Sequence, residues 1–131
     1  MIVLDSSALV ELLLGTPEGI TIGRRWHVEG QAHAPHLATV EAAHVVRKLT
    51  LVGAISADRG RRLLGRLPQL PFQRHGHDLL LPRMWELKGH LTAYDAVYVA
   101  LAEALDLSLL TMDGKLAAAP GHRASIELVA A

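Results

Sequence analysis

Short apolar runs alternate with longer helical stretches along most of this chain. Ile2-Val3-Leu4 is brief, apolar and β-branched, the pattern of a buried strand. Ser6 and Ser7 open a helical run to about Leu14, closed by Gly15. Pro17 suits the first turn of another helix over roughly 18–29, and Ala32 to Pro35 reads as a short strand stopped by its proline. Leu37 to Leu51 predicts a helix with Glu41 in its second turn, ending near Gly53, and Ser56 caps a further helix to about Leu67. Pro68 and Pro71 bracket a turn, with Leu70 to Gln73 a predicted strand. His77 to Lys88 reads as a helix, with Pro82 either in an early turn or kinking it. Thr92 caps a long helix over 93–105, Leu107 to Thr111 is a strand, Asp113-Gly114 a turn and Ser125 to Val129 the last strand. Strands alternating with helices predict an α/β fold whose mostly parallel sheet is covered on both faces. No repeat, linker or low-complexity segment interrupts the pattern, so residues 1–131 read as a single domain.

The same pattern places Asp5, Glu41, Asp95 and Asp113 at the ends or edges of elements. Asp5 ends the first strand, Asp95 opens the long helix, and Asp113 follows the strand Leu107 to Thr111. In open α/β sheets, sites lie beyond the carboxyl ends of the strands. Carboxylates gathered there repel, by roughly 4 kcal/mol for two charges about 4 Å apart at an effective dielectric near 20. The fold must raise some of their pKa values or bind a cation, and a hard ion such as Mg²⁺ or Mn²⁺ suits oxygen ligands. Each acid also has a plain reading: Asp5 as a helix cap, Asp95 in a capping box with Thr92, Asp113 in a turn, Glu41 on a solvated face. It is their conjunction on one sheet edge that points to metal-assisted phosphoryl chemistry. Ser6 and Thr111 stand beside these acids, either orienting them or satisfying nearby backbone.

Composition narrows the field. Half of the 131 residues are apolar, enough for a sizeable core. The absence of cysteine excludes disulfides, zinc–thiolate sites and a cysteine nucleophile. The 13 basic and 13 acidic residues cancel, so nucleic acid would be met by a local patch and not by overall charge. Arg59, Arg62 and Arg66, on one face of the 56–67 helix, are the best such patch for phosphates, though a solvated face explains them too. The histidines lack the spacing of a helical zinc site and read as packing or surface residues. The start carries no signal-peptide pattern, and no apolar run approaches the roughly 18 residues of a membrane span, so a cytoplasmic protein is expected. The 8–14 and 37–52 helices are apolar on more than one side, which predicts a groove for a partner segment.

These residues resemble a known family. Met-Ile-Val-Leu-Asp5-Ser6-Ser7-Ala-Leu-Val is similar to the opening of PIN-domain proteins. Thr92-Ala-Tyr94-Asp95-Ala-Val-Tyr98-Val-Ala-Leu-Ala-Glu103, followed by Leu-Leu-Thr111-Met-Asp113, is similar to their second half. Length and blocks together resemble the VapC toxins of type II VapBC toxin–antitoxin pairs. One departure is Leu116, where relatives often carry an aromatic residue. The resemblance implies a three-layer α/β/α fold and an Mg²⁺- or Mn²⁺-dependent endoribonuclease. It implies Asp5, Glu41, Asp95 and Asp113 as catalytic acids, with Asp5, Asp95 and Asp113 on the metal. It also implies a homodimer and a cognate VapB-like antitoxin. Two rivals are a phosphotransfer enzyme of the haloacid-dehalogenase type and a catalytically silent domain binding RNA or protein. The first needs a second aspartate two residues after Asp5, where this chain has Ser7.

Overall fold

The computed structural model describes residues 1–130. At its centre lies a five-stranded sheet of β1 (Ile2–Leu4), β2 (Ala32–Pro35), β3 (Gln73–His75), β4 (Ser108–Thr111) and β5 (Ile126–Leu128), in the order β3-β2-β1-β4-β5. All four pairings are parallel, so the sheet is parallel throughout. The helices are α1 (Ser6–Leu14), α2 (Pro17–Glu29), α3 (Leu37–Leu51), α4 (Ala57–Arg66), α5 (Leu81–Glu86), α6 (Ala93–Leu105) and α7 (Gly114–Ala117).

Topology divides the helices into two layers. The chain steps from β1 to β2 to β3, then crosses back past β1 to β4 and β5. Right-handed crossovers in opposite directions place the intervening helices on opposite faces. Accordingly α1 packs on α2 and α3, and α3 on α4, whereas α6 packs on α5 and over β1, β2 and β4. The direction of travel reverses between β1 and β4, which opens a crevice beyond their carboxyl ends.

Burial follows from side-chain size. β1 is wholly buried between its neighbours, and α6 buries every residue from Ala96 to Ala102. Each large apolar side chain so buried contributes about 1.5–3 kcal/mol. On α3 the buried residues are Ala38, Ala42 and Val46, spaced by four, so small side chains let this helix approach its neighbours closely. α1 and α2 also approach closely: a Cβ on Gly19 would collide with the Glu11 carbonyl. On the other face, Arg83 of α5 grips Glu103 of α6 through Nε at 2.7 Å and Nη2 at 3.0 Å.

Several elements differ from the pattern. The third strand is Gln73–His75, not Leu70 to Gln73. Phe72 turns into the core ahead of it, while the Arg74 guanidinium takes the carbonyls of Leu67, Leu70 and Phe72 out of the ladder. The segment 77–88 is a 3₁₀ turn at Asp78–Leu80 followed by α5, because Pro82 fits only the first helical turn. Asp113 does not end in a simple turn but caps the helical turn α7. The apolar excess on α1 is mostly covered: Ala8, Leu9, Val10 and Leu13 are buried. On the 37–52 segment Val40, Leu51 and Val52 stay exposed. Among the described residues no helix is long and apolar enough to cross a membrane.

Candidate active site

Asp5 is the first residue beyond β1, and it is only 5% exposed. Its Oδ1 accepts from Ala8 N at 2.9 Å, which caps α1, and from the Ser7 hydroxyl at 2.6 Å. Its Oδ2 accepts from the hydroxyl of Thr111, the last residue of β4, at 2.5 Å. Both hydroxyls are held in turn by the chain that follows β4. Met112 N donates to Ser7 Oγ and Asp113 N to Thr111 Oγ1, each at 2.9 Å. Two hydroxyls thus clamp the end of β4 onto the end of β1 and fix Asp113 beside Asp5. Ser7 was not among the residues picked out from sequence. Its signal was available: a hydroxyl two residues after an N-cap can reach back to the capping carboxylate.

Asp95 enters from the other helical layer. Thr92 caps α6 by accepting from Asp95 N at 3.3 Å, which sets Asp95 in the first turn. Burial pushes the Asp5 carboxyl above the usual range; bonds from Ser7, Thr111 and Ala8 oppose this, and the Asp113 charge adds to it. Asp95 is likewise raised, by burial first and then by the Asp113 charge, with Thr92 opposing. The charge of Asp113 therefore reaches both Asp5 and Asp95 across the crevice.

Glu41 reaches the same edge from α3. It accepts from the Tyr98 hydroxyl at 2.5 Å. Tyr98 is also pushed far above the phenol range, by burial, then by Glu41, with a smaller contribution from Asp5. Ser6 does not hold Asp5; it lies against the Tyr98 hydroxyl and, with Glu41, lines a groove of about 470 Å³. Leu37, Val40, His44, Val45 and Tyr94 complete that groove.

The donor set has the chemistry of a hard-ion site. Among the described residues no three His, Cys, Asp or Glu side chains stand close enough to enclose an ion by themselves. Mg²⁺, however, usually keeps several waters and takes only one or two carboxylates directly. Asp5 uses three acceptor positions on its bonds within the protein, of the roughly four a carboxylate offers, and Oδ2 retains one. A cation at the crevice would offset both the burial and the Asp113 repulsion that raise Asp5 and Asp95.

The arginine stripe lies elsewhere. Arg59, Arg62 and Arg66 are exposed on α4. Arg59 Nη2 donates to Leu14 O at 3.1 Å, closing the far end of α1. Since α1 starts beside Asp5, that is about 13 Å away along a helix rising about 1.5 Å per residue. Three of the histidines are internal partners: His33 Nδ1 and His75 Nε2 are 2.9 Å apart, and His77 Nε2 accepts from Leu37 N at 3.0 Å, capping α3.

Known proteins resemble this chain over nearly its whole length. The PIN domain family model matches residues 2–121. Ribonuclease VapC12 of Mycobacterium tuberculosis is 42% identical over 130 residues, covering 99% of this chain and 100% of that protein. Ribonuclease VapC1 of the same species is 41% identical over 128 residues, covering 97% of this chain and 96% of that one. Among solved structures, a toxin–antitoxin complex from Klebsiella pneumoniae matches with a TM-score of 0.64 at 18% identity, over 90% of this chain and 91% of that one, a likeness of fold. The chain belongs to the PIN domain family, in its VapC branch.

Proposed function

We propose that this protein is a metal-dependent endoribonuclease that acts as the toxin of a toxin–antitoxin pair. The observation that carries the reading is the clamp of Ser7 and Thr111, which brings Asp5 and Asp113 together where the sheet reverses direction. The relatives, named ribonucleases, match nearly the whole chain.

Asp5, Asp95 and Asp113 would hold Mg²⁺ or Mn²⁺. Bound there, the ion supplies Lewis-acid stabilisation of phosphoryl oxygens and a more acidic water. Asp5 is oriented by its three donors, which also oppose the rise that burial imposes on its carboxyl. Glu41 orients water on the side of the scissile phosphate nearest α3. Water adds to phosphorus in line with the leaving O3′, which departs protonated, giving a 5′-phosphate and a 3′-hydroxyl. The protein works as a homodimer and in the cytoplasm. A VapB-like antitoxin lays an apolar segment in the groove beside Val40 and Tyr94, and a basic side chain of that segment pairs with the acids.

The test is to incubate purified protein with RNA, map the new ends and repeat with antitoxin in excess. The reading expects 5′-phosphate ends, no cleavage with antitoxin, and hydrogen-exchange protection around residues 37–45. Cyclic phosphate ends, or undiminished cleavage in the complex, would contradict it.

A further inference from the structure

Tyr98 stands three residues after Asp95, so both project from one face of α6. Its ring is buried, 2% exposed, within the main core. Its hydroxyl leaves that core to meet Glu41 at 2.5 Å. Glu41 belongs to the layer of α1, α3 and α4, and Tyr98 to the layer of α5 and α6. The bond therefore crosses the carboxyl edge of the sheet from one helical layer to the other.

A buried phenol needs a partner, and a core tyrosine that merely found one would be the plain account. Two features go further. The partner is a carboxylate, so the bond is charge-assisted and strong. That carboxylate lies on a wall of the groove shared with Ser6, next to Asp5 in sequence. Glutamate is a flexible side chain, with up to about 1.5–2 kcal/mol of rotamer entropy to lose on being fixed. One strong donor anchored in the core selects a single rotamer in advance. Burial and the carboxylate itself keep the phenol protonated, so Tyr98 stays the donor and Glu41 the acceptor.

We propose that Tyr98 is a positioning residue for the acidic site, fixing Glu41 at the crevice by a hydrogen bond from the opposite helical layer. It acts on turnover and leaves RNA affinity alone. This rests on reading the site as an RNA-hydrolysing centre with Glu41 in it.

The experiment compares Tyr98→Phe, Glu41→Gln and the double variant, with thermal melting of each and kcat and KM for RNA cleavage in Mn²⁺. Phenylalanine keeps the buried ring, so Tyr98→Phe should remain folded. Its kcat should fall about ten- to a hundredfold, the scale of a misplaced group, with KM within about twofold. The double variant should be no slower than Glu41→Gln, because the hydroxyl acts only through that carboxylate. Full turnover in Tyr98→Phe, or losses that multiply in the double variant, would overturn the proposal. Full turnover in Glu41→Gln alongside an inactive Asp95→Asn would overturn it while leaving the ribonuclease reading intact. A readout independent of cleavage is the Tyr98 hydroxyl proton by NMR. A slowly exchanging downfield signal should be present in the wild type and lost in a folded Glu41→Ala variant. Its absence from the wild type overturns the proposal whether or not RNA is cut.

Discussion

The Thr111 hydroxyl donates to Asp5 Oδ2 across two adjacent parallel strands, joining residues 106 positions apart in the chain. Both residues are buried, and the bond is one of three that hold the Asp5 carboxylate. Valine has nearly the shape of threonine but no hydroxyl. Thr111→Val should therefore cost about 1–3 kcal/mol in urea unfolding of the metal-free protein, since it strips a donor from a buried carboxylate. It also releases Asp113 N, so activity should fall with it. Unchanged stability would mean that water replaces the hydroxyl freely.

Asp95 gives the opposite sign. Its carboxyl is raised by burial and by the Asp113 charge, and its cap is supplied by Thr92. Asp95→Asn removes the repulsion while keeping the shape. The metal-free variant should melt at the wild-type temperature or above it, and cleave no RNA. A marked loss of stability would assign Asp95 a structural role.

Acid stability should be governed in part by Glu103, far from the crevice. Hydrogen bonds from Arg83 are the main cause holding its carboxyl below the ordinary value of 4.5. A carboxyl depressed in the fold adds stability above its unfolded pKa and loses it as pH falls through the folded value. Unfolding free energy should thus decline below about pH 4.5, and less steeply in Glu103→Gln. Arg83→Met should cost about 2 kcal/mol at neutral pH, under the roughly 3–5 kcal/mol of a fully buried pair because Arg83 is partly solvated. An identical acid limb in Glu103→Gln would refute the assignment.

Gly19 tests the packing of the first layer. A methyl group there meets the Glu11 backbone carbonyl, which cannot move without shifting α1. Gly19→Ala should cost more than about 2 kcal/mol, despite the better helix propensity of alanine. A neutral or stabilising effect in thermal melting would show that α1 and α2 slide apart readily.

Much of the architecture was legible in residue order. Ile2 to Leu4, Ala32 to Pro35 and the helix from Thr92 onward announce themselves by apolar runs and caps, and the acids at their ends follow. The third strand was misplaced because Leu70 and Phe72 are apolar for core packing, not for the sheet. Ser7 was passed over for Ser6, since only the fold decides which of two adjacent hydroxyls turns toward Asp5. The Tyr98–Glu41 bond spans 57 positions and two layers, and no local pattern encodes such a meeting. The same holds for Arg59, whose helix face is plain in sequence but whose partner, the Leu14 carbonyl, is set by how α4 docks on α1.

The central claim is that the acids at the β1–β4 crevice form a metal-dependent centre for RNA hydrolysis. The most direct measurement is cleavage of RNA by the purified protein after chelation with EDTA, then with Mn²⁺ restored, for wild type and Asp95→Asn. Wild type should be silent in EDTA and recover fully with Mn²⁺, while a folded Asp95→Asn stays silent in both. Full wild-type cleavage in excess EDTA, or full cleavage by Asp95→Asn, would contradict the account.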